Sequence, residues 1–533
     1  MHLYITAKRY SQSIRMEGNH MKRNHITAII AILAVLAMLL SACGSGKEMP
    51  QTTESTATTE MTEVTETPAN ETDAGLSEGT EPGNSAETDN PQGTPPGDPP
   101  DGNGGPGGTP PGDPPSGGMP GGGPGGSSAD IDYSGAVEIK SADTQIGQTY
   151  ASTTSDESAL LISTDAEVTI TDPTVTKNGS SDGGDNCNFF GLNAAVLVKD
   201  GATVTITGGT ITSDASGANG VFCYGGNGGQ NGASGDGTTL VIRDTEITTT
   251  GSGSGGIMTT GGGITYAYDL TVNTTGQSSA AIRTDRGGGT VYVDGGTYTS
   301  NGLGSPAIYS TAEIHVANAT LVSNLSEGVC IEGVNSIELT DCDLTANNTK
   351  CNGNATFYDT IMIYQSMSGD ADSGTSSFTM TGGTLTSTNG HVFHVTNTNA
   401  VITLNRVLIF NEDADNILLS VCADGWSGGS NTATLNAIAQ VLSGAIKVGS
   451  DSTLTLNLTE GSSFTGSIDG SIVNATGAEV STEVGTVSVT LDDSSTWTLT
   501  GDSYVTEFHG DAANIISNGY TLYVNGTALT GTK

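Results

Sequence analysis

Arginine is scarce in this chain, and where it clusters its neighbours are acids. Beyond residue 128 the sequence holds only Arg243, Arg283, Arg286 and Arg406, and two of them lie in Arg283-Thr-Asp285-Arg286. Glu332 follows two repeat units later, so stacking of strands puts it roughly 10 Å from Arg283. Guanidinium groups beside carboxylates on an open groove can hold an anion, or supply the base and charge-stabilising partner that cleaves a polysaccharide. The same four residues, Arg283, Asp285, Arg286 and Glu332, can instead form an ion-pair network that pins a turn. Aromatic candidates stand near them in register. Tyr309 and His394 are expected in one outward column with Arg283, alongside Thr259, Ile331 and Ile363, with Tyr364 next to Glu332. Trp426 lies in Asp424-Gly-Trp-Ser-Gly-Gly429. It is expected either as a sugar-binding platform on a polar loop or folded back onto the protein. These four rings are the ligand-binding candidates.

Metal chemistry has weaker support. The acids at Asp182 to Asp185, Asp370 to Asp372 and Asp413 to Asp415 offer the oxygens calcium takes, but none fits a twelve-residue EF-hand loop or the repeated nonapeptide pattern. Calcium stays a candidate ligand, and no other cofactor is implied. Of the 7 cysteines, Cys187, Cys223, Cys330, Cys342, Cys351 and Cys422 follow residue 128, with no Cys-x-x-Cys or Cys/His cluster that suggests zinc. Cys330 is expected as a buried free thiol. Cys342 and Cys351 flank an insertion they could close as a disulfide, and Cys223 is expected to stack on Val198.

The elements that must position these residues repeat. An alternating strand recurs at Val168, Val204, Leu240, Tyr266, Val291, Ile314, Ile337, Phe378, Ile402 and Leu454, at intervals of 23 to 26 residues where no insertion intervenes. That interval suits one coil of a parallel β-helix with three short strands per turn and is too short for the helical repeats. Thr, Val, Ile, Ser and Gly dominate, and these favour strands and turns. Gly-Gly-Thr corners recur at Gly208, Gly295 and Gly382, where a sharp bend needs a left-handed backbone. The column Leu197, Phe222, Met258, Ile282, Ile308, Cys330, Met362, Phe393 is apolar throughout and is assigned to the core. Three long loops, 225–237, 365–377 and 422–431, leave the same corner and are expected to cluster along one flank, the side of a solenoid that often binds.

The N-terminus sets location. Met21-Lys22-Arg23, an apolar run from Ile26 to Leu40 and the ending Leu40-Ser-Ala-Cys43 form a secretory signal. That ending resembles the lipobox of bacterial lipoproteins, which implies cleavage before Cys43 and lipid on its sulfur; residues 1–43 are the signal, with Met21 the expected start. Residues 44–128 are rich in Thr, Glu, Pro, Gly and Ser and cannot bury enough apolar surface to fold. They read as a spacer spanning about 50 Å or more, leaving 129–533 as the folded rod. A formal net charge of −41 argues against nucleic acid or an anionic membrane surface as a partner; it is expected to keep a long β rod soluble, with calcium or a cationic partner as the alternative reading.

Ser279-Ala-Ala-Ile-Arg-Thr-Asp-Arg-Gly-Gly-Gly289, Gly304-Ser-Pro-Ala-Ile-Tyr-Ser-Thr311, Ser326-Glu-Gly-Val-Cys-Ile-Glu-Gly333 and Ile363-Tyr-Gln-Ser-Met-Ser-Gly369 resemble the adhesin-like β-helix proteins of gut anaerobes. Ser494-Ser-Thr-Trp-Thr-Leu-Thr-Gly-Asp-Ser503 is similar to the last coils of pertactin-like autotransporter passengers. The resemblance implies an all-β, single-stranded right-handed parallel β-helix at the cell surface, anchored by lipid, with a binding role toward polysaccharide, cell wall or host surface. Two alternatives remain: a β-helix polysaccharide lyase or hydrolase working through Arg283, Asp285, Arg286 and Glu332, although the catalytic set of the polygalacturonases is missing, and a structural component of the envelope.

Overall fold

Strands such as Thr203–Thr207 (Thr-Val-Thr-Ile-Thr) alternate branched apolar side chains with threonine, and only a sheet buried on one face and wet on the other satisfies both. The chain builds three of them. In this computed structural model, which describes residues 131–228 and 234–533, parallel sheets of 13, 14 and 10 strands run side by side, with a four-stranded sheet taking the third position toward the C-terminus. Each coil contributes one strand to each sheet. The return to a parallel neighbour is the kind of crossover that is right-handed in nearly all proteins. This is the expected parallel β-helix. The expected signal segment with Cys43 and the expected spacer fall within residues 1–130, outside the described residues, as do 229–233.

The core is the channel between the sheets. From the first sheet it receives Leu160, Val196, Val221, Ile257, Ile282, Ile308, Val329, Ile361, Phe393 and Leu419, each paired in register with the next. From the second it receives Val168, Val204, Leu240, Thr265, Val291, Ile314, Ile337, Phe378, Ile402, Leu435 and Leu456. Burial of each such side chain contributes about 1.5–3 kcal/mol. At the corner from the second to the third sheet, each coil needs a left-handed residue. Gly208, Gly295 and Gly382 serve there at φ 69°, 80° and 65°, and Asp172, Asp269, Asn318 and Asp341 fill the same place in other coils.

Two registers differ from expectation. Tyr266 faces outward and Thr265 is the core member of its coil, while Leu454 is in the core but Leu456, not Leu454, continues the column of Ile402 and Leu435. In the first sheet, Leu197, Phe222, Met258, Cys330 and Met362 face outward, and only Ile282, Ile308 and Phe393 of the expected column face the channel. Arg283 pairs with Met258 and Tyr309, and the column continues through Cys330, Met362 and His394 rather than through Thr259, Ile331 and Ile363. The cause is that these strands are buried on both faces, as in His391–Thr396, where all six residues are buried. Apolarity then no longer tells inside from outside. Cys223 does stack on Val198.

The outer face of the first sheet is covered by insertions. The short helix Asp185–Phe190 lies over Leu161, Leu197, Phe222 and Met258. Segments around Ala355 and Trp426 cover Tyr309, Cys330, Met362 and Tyr364. Among the described residues nothing covers the outer face of the second sheet in this way: Glu313, Tyr292 and Glu338 stand exposed on it.

Candidate functional site

Under the cover of the first sheet, the predicted chemistry is present but enclosed. Arg283 is 2% exposed, and its guanidinium donates to Asp285 Oδ2 at 2.6 Å and lies over the Tyr309 ring at 5.4 Å. Burial pushes the Asp285 carboxyl up to about 6 even with Arg283 beside it. Arg286 bonds Asp370 at 2.5 Å and rests on the Phe189 ring at 4.4 Å, so it straps the 365–377 loop to the turn. Glu332 accepts from the hydroxyls of Tyr309 at 2.7 Å and Tyr364 at 3.0 Å, and from the hydroxyl and backbone N–H of Ser366. Its burial raises it to about 7. Trp426 has folded back: it is buried and tilts against Tyr364, ring centroids 4.9 Å apart. Arg283 and Glu332 therefore do not line an open groove. They hold down a roof.

His394 sits deeper in the same layer. One ring nitrogen meets Ser420 Oγ at 2.7 Å, and the other lies 3.5 Å from Asp424 Oδ2. His391 reaches the same hydroxyl at 2.7 Å, and burial lowers its pKa to about 3. Ser, His and Asp in this order have the composition of an acyl-transfer triad, but a nucleophile must meet its substrate. Ser420 and His394 are fully buried, so the set ties strands together. Among the described residues no three metal-ligating side chains converge. Asp370 is held by Arg286, and Asp413 accepts backbone N–H groups of Gly390 and Asp415. All six cysteines here are free, so Cys342 and Cys351 are not bridged.

The bare face of the second sheet holds an accessible arrangement. Its outward columns are mostly threonine and asparagine, except across four neighbouring strands: Gly263–Tyr268, Gly289–Asp294, Glu313–Ala317 and Ser336–Thr340. One column there reads Tyr266, Tyr292, His315, Glu338 in direct register. Its rings stack in series, with Tyr266 to Tyr292 and Tyr292 to His315 both 5.1 Å between centroids and within 11° of parallel. Tyr292 is 39% exposed. Partial burial and the Glu313 carboxylate hold its phenol above the ordinary value, so it remains a neutral O–H donor. His315 sits between two carboxylates, 2.7 Å from Glu313 and 3.0 Å from Glu338. The neighbouring column places Tyr268 and Asp294 beside the stack. Asp294 accepts from Asn318 at 2.7 Å. Between the two columns runs a shallow groove of about 480 Å³.

A second groove of about 460 Å³ adjoins it through Glu313, over the glycine turns Gly262, Gly288 and Gly289. Ser234 and Asp372 both line it, so the 225–237 and 365–377 loops meet there. The 422–431 loop joins them, because Asn397 binds both Gln365 O and Gly429 N–H. The three long loops do share a flank. Comparisons with family models, curated proteins and solved structures find no match.

None of the four ring candidates chosen from sequence is accessible: Tyr309, Tyr364, His394 and Trp426 are all buried. The accessible rings are Tyr266, Tyr268, Tyr292 and His315, none of which is among those four candidates. Their signal was in the sequence, since Tyr266, Tyr292 and His315 fall at outward positions of successive alternating strands. Flat rings and fixed carboxylates on a rigid sheet can grip a polar ligand with apolar faces, a description that fits sugars.

Proposed function

We propose that this chain is a lipid-anchored cell-surface binding protein that recognises carbohydrate of a cell wall, matrix or host surface. The contact surface in this reading is the outer face of the second sheet rather than loop residues alone. The observation that carries it is the exposed stack of Tyr266, Tyr292 and His315 beside a groove, on a face otherwise surfaced with threonine and asparagine. The lipobox at Cys43 and the spacer to residue 128 support a rod held away from a membrane, where an outside partner can reach it. The lyase reading finds no such support, because Arg283, Asp285 and Glu332 are buried and bonded to neighbours in the roof.

Screening the full chain against a panel of immobilised glycans tests this. At least one glycan should bind, and Tyr292→Ala should weaken it at least about fivefold, the effect of losing a stacking platform worth ~1–2 kcal/mol. Binding to no glycan, or unchanged binding by Tyr292→Ala, overturns the reading.

A further inference from the structure

We infer that the preferred ligand is a glycan bearing free ammonium groups, that is, 2-amino sugars without an acetyl cap; this rests on the carbohydrate reading above and narrows it. The groove beside the stack is bordered by tyrosine rings and by carboxylates, with no lysine or arginine on its walls. Asp294 and Glu338 line it, and Glu313 joins it through His315. Glu313 and Glu338 flank the imidazole and Asp294 stands in the next column, so these four side chains sum to a negative charge whether or not His315 is protonated. The nearest guanidinium, Arg243, is stacked on the Tyr268 ring at 5.1 Å and lies outside the groove lining.

That balance discriminates among sugars. A polyuronate would bring its own carboxylates against Glu338 and Asp294 and be repelled. A neutral sugar would gain the ring contacts alone. An ammonium group gains the electrostatic attraction of a tyrosine face together with a carboxylate partner. The rest of the second sheet's outer face lacks this combination: most of its outward positions are threonine or asparagine, and the exposed charges Glu167, Arg243 and Glu507 stand there singly. The acids are therefore concentrated where the rings are.

The test uses the full chain and three probes of matched length: a glucosamine oligomer, its fully N-acetylated counterpart and an oligogalacturonate. Calorimetry should give about tenfold tighter binding for the amine than for the acetylated form, the size of one exposed cation–ring contact plus one exposed ion pair. That preference should shrink as salt rises, and E338Q should reduce it to about threefold or less. Equal affinity for the amine and acetylated oligomers, or a preference unchanged in E338Q, overturns this inference while leaving carbohydrate binding intact. Tightest binding of oligogalacturonate also overturns it. Failure of all three probes, together with an empty glycan panel, removes both readings.

Discussion

The outer faces of the first and second sheets are built from the same coils and have opposite fates. On the first, Arg283, Glu332, His394, Tyr309 and Tyr364 lie under inserted segments, and Arg283, Asp285, Arg286 and Glu332 each have a partner. On the second, Tyr292, Glu313 and Glu338 stand in water on bare strands. The difference teaches where to look for recognition in a solenoid. Rare charged residues drew attention to the roofed face, yet arginine concentrates there because a buried carboxylate must be neutralised. The plainer face, where a few rings interrupt a field of threonine, is the one a ligand can reach.

The comparison breaks most visibly at Arg283. Arg283→Met leaves Asp285 in a dry site without its counter-charge, and stability should fall by about 3–5 kcal/mol, read as a lower midpoint in thermal or denaturant unfolding. Glycan affinity of the folded protein should not change. Loss of binding at a temperature where the variant is still folded would place recognition under the roof and contradict the account.

Proton linkage gives the next largest effect. Glu332 titrates near 7 in the folded chain against an ordinary value of 4.5, and Asp285 near 6 against 3.8. Between those limits the unfolded chain has released protons that the folded chain keeps. Stability with respect to these groups is therefore greatest below about pH 3.8 and falls as pH rises toward 7, by up to about 3 kcal/mol for Glu332 alone. Glu332→Gln should flatten that slope and leave the protein more stable than its parent at pH 8. An unaltered slope in this variant would show that Glu332 is not held neutral by burial.

The smallest stability effect belongs to the bare face. Tyr292→Ala removes two stacked contacts from an exposed position and should lower stability by only about 1 kcal/mol, although it is the change expected to damage binding most. A large loss of stability would mean the stack exists to hold the sheet rather than to meet a ligand.

How much of this could be read in the sequence follows from the same contrast. The second sheet was legible because each strand has one wet face, so Val204-Thr-Ile-Thr207 shows its period plainly. The first sheet was legible as strands but not in register. With Ile282 and Arg283 both buried, adjacent residues compete for the inward position, and Ile282, Ile308 and Phe393 were joined to outward neighbours. Trp426 packs on Tyr364, a residue far away in sequence, and no local pattern announces such a contact. The Tyr266, Tyr292, His315 column was visible as spacing but needed the exact pairing of strands to become a stack. A marker set one residue off at Tyr266 was enough to hide it.

The most direct test of the central claim is to photo-crosslink a bound glycan carrying a diazirine and map the modified peptides of the full chain by mass spectrometry. Adducts should fall within 263–268, 289–294, 313–317 and 336–340, the four strands of the exposed strip. Adducts confined to the roof over the first sheet, around Trp426 and residues 365–374, would contradict the account.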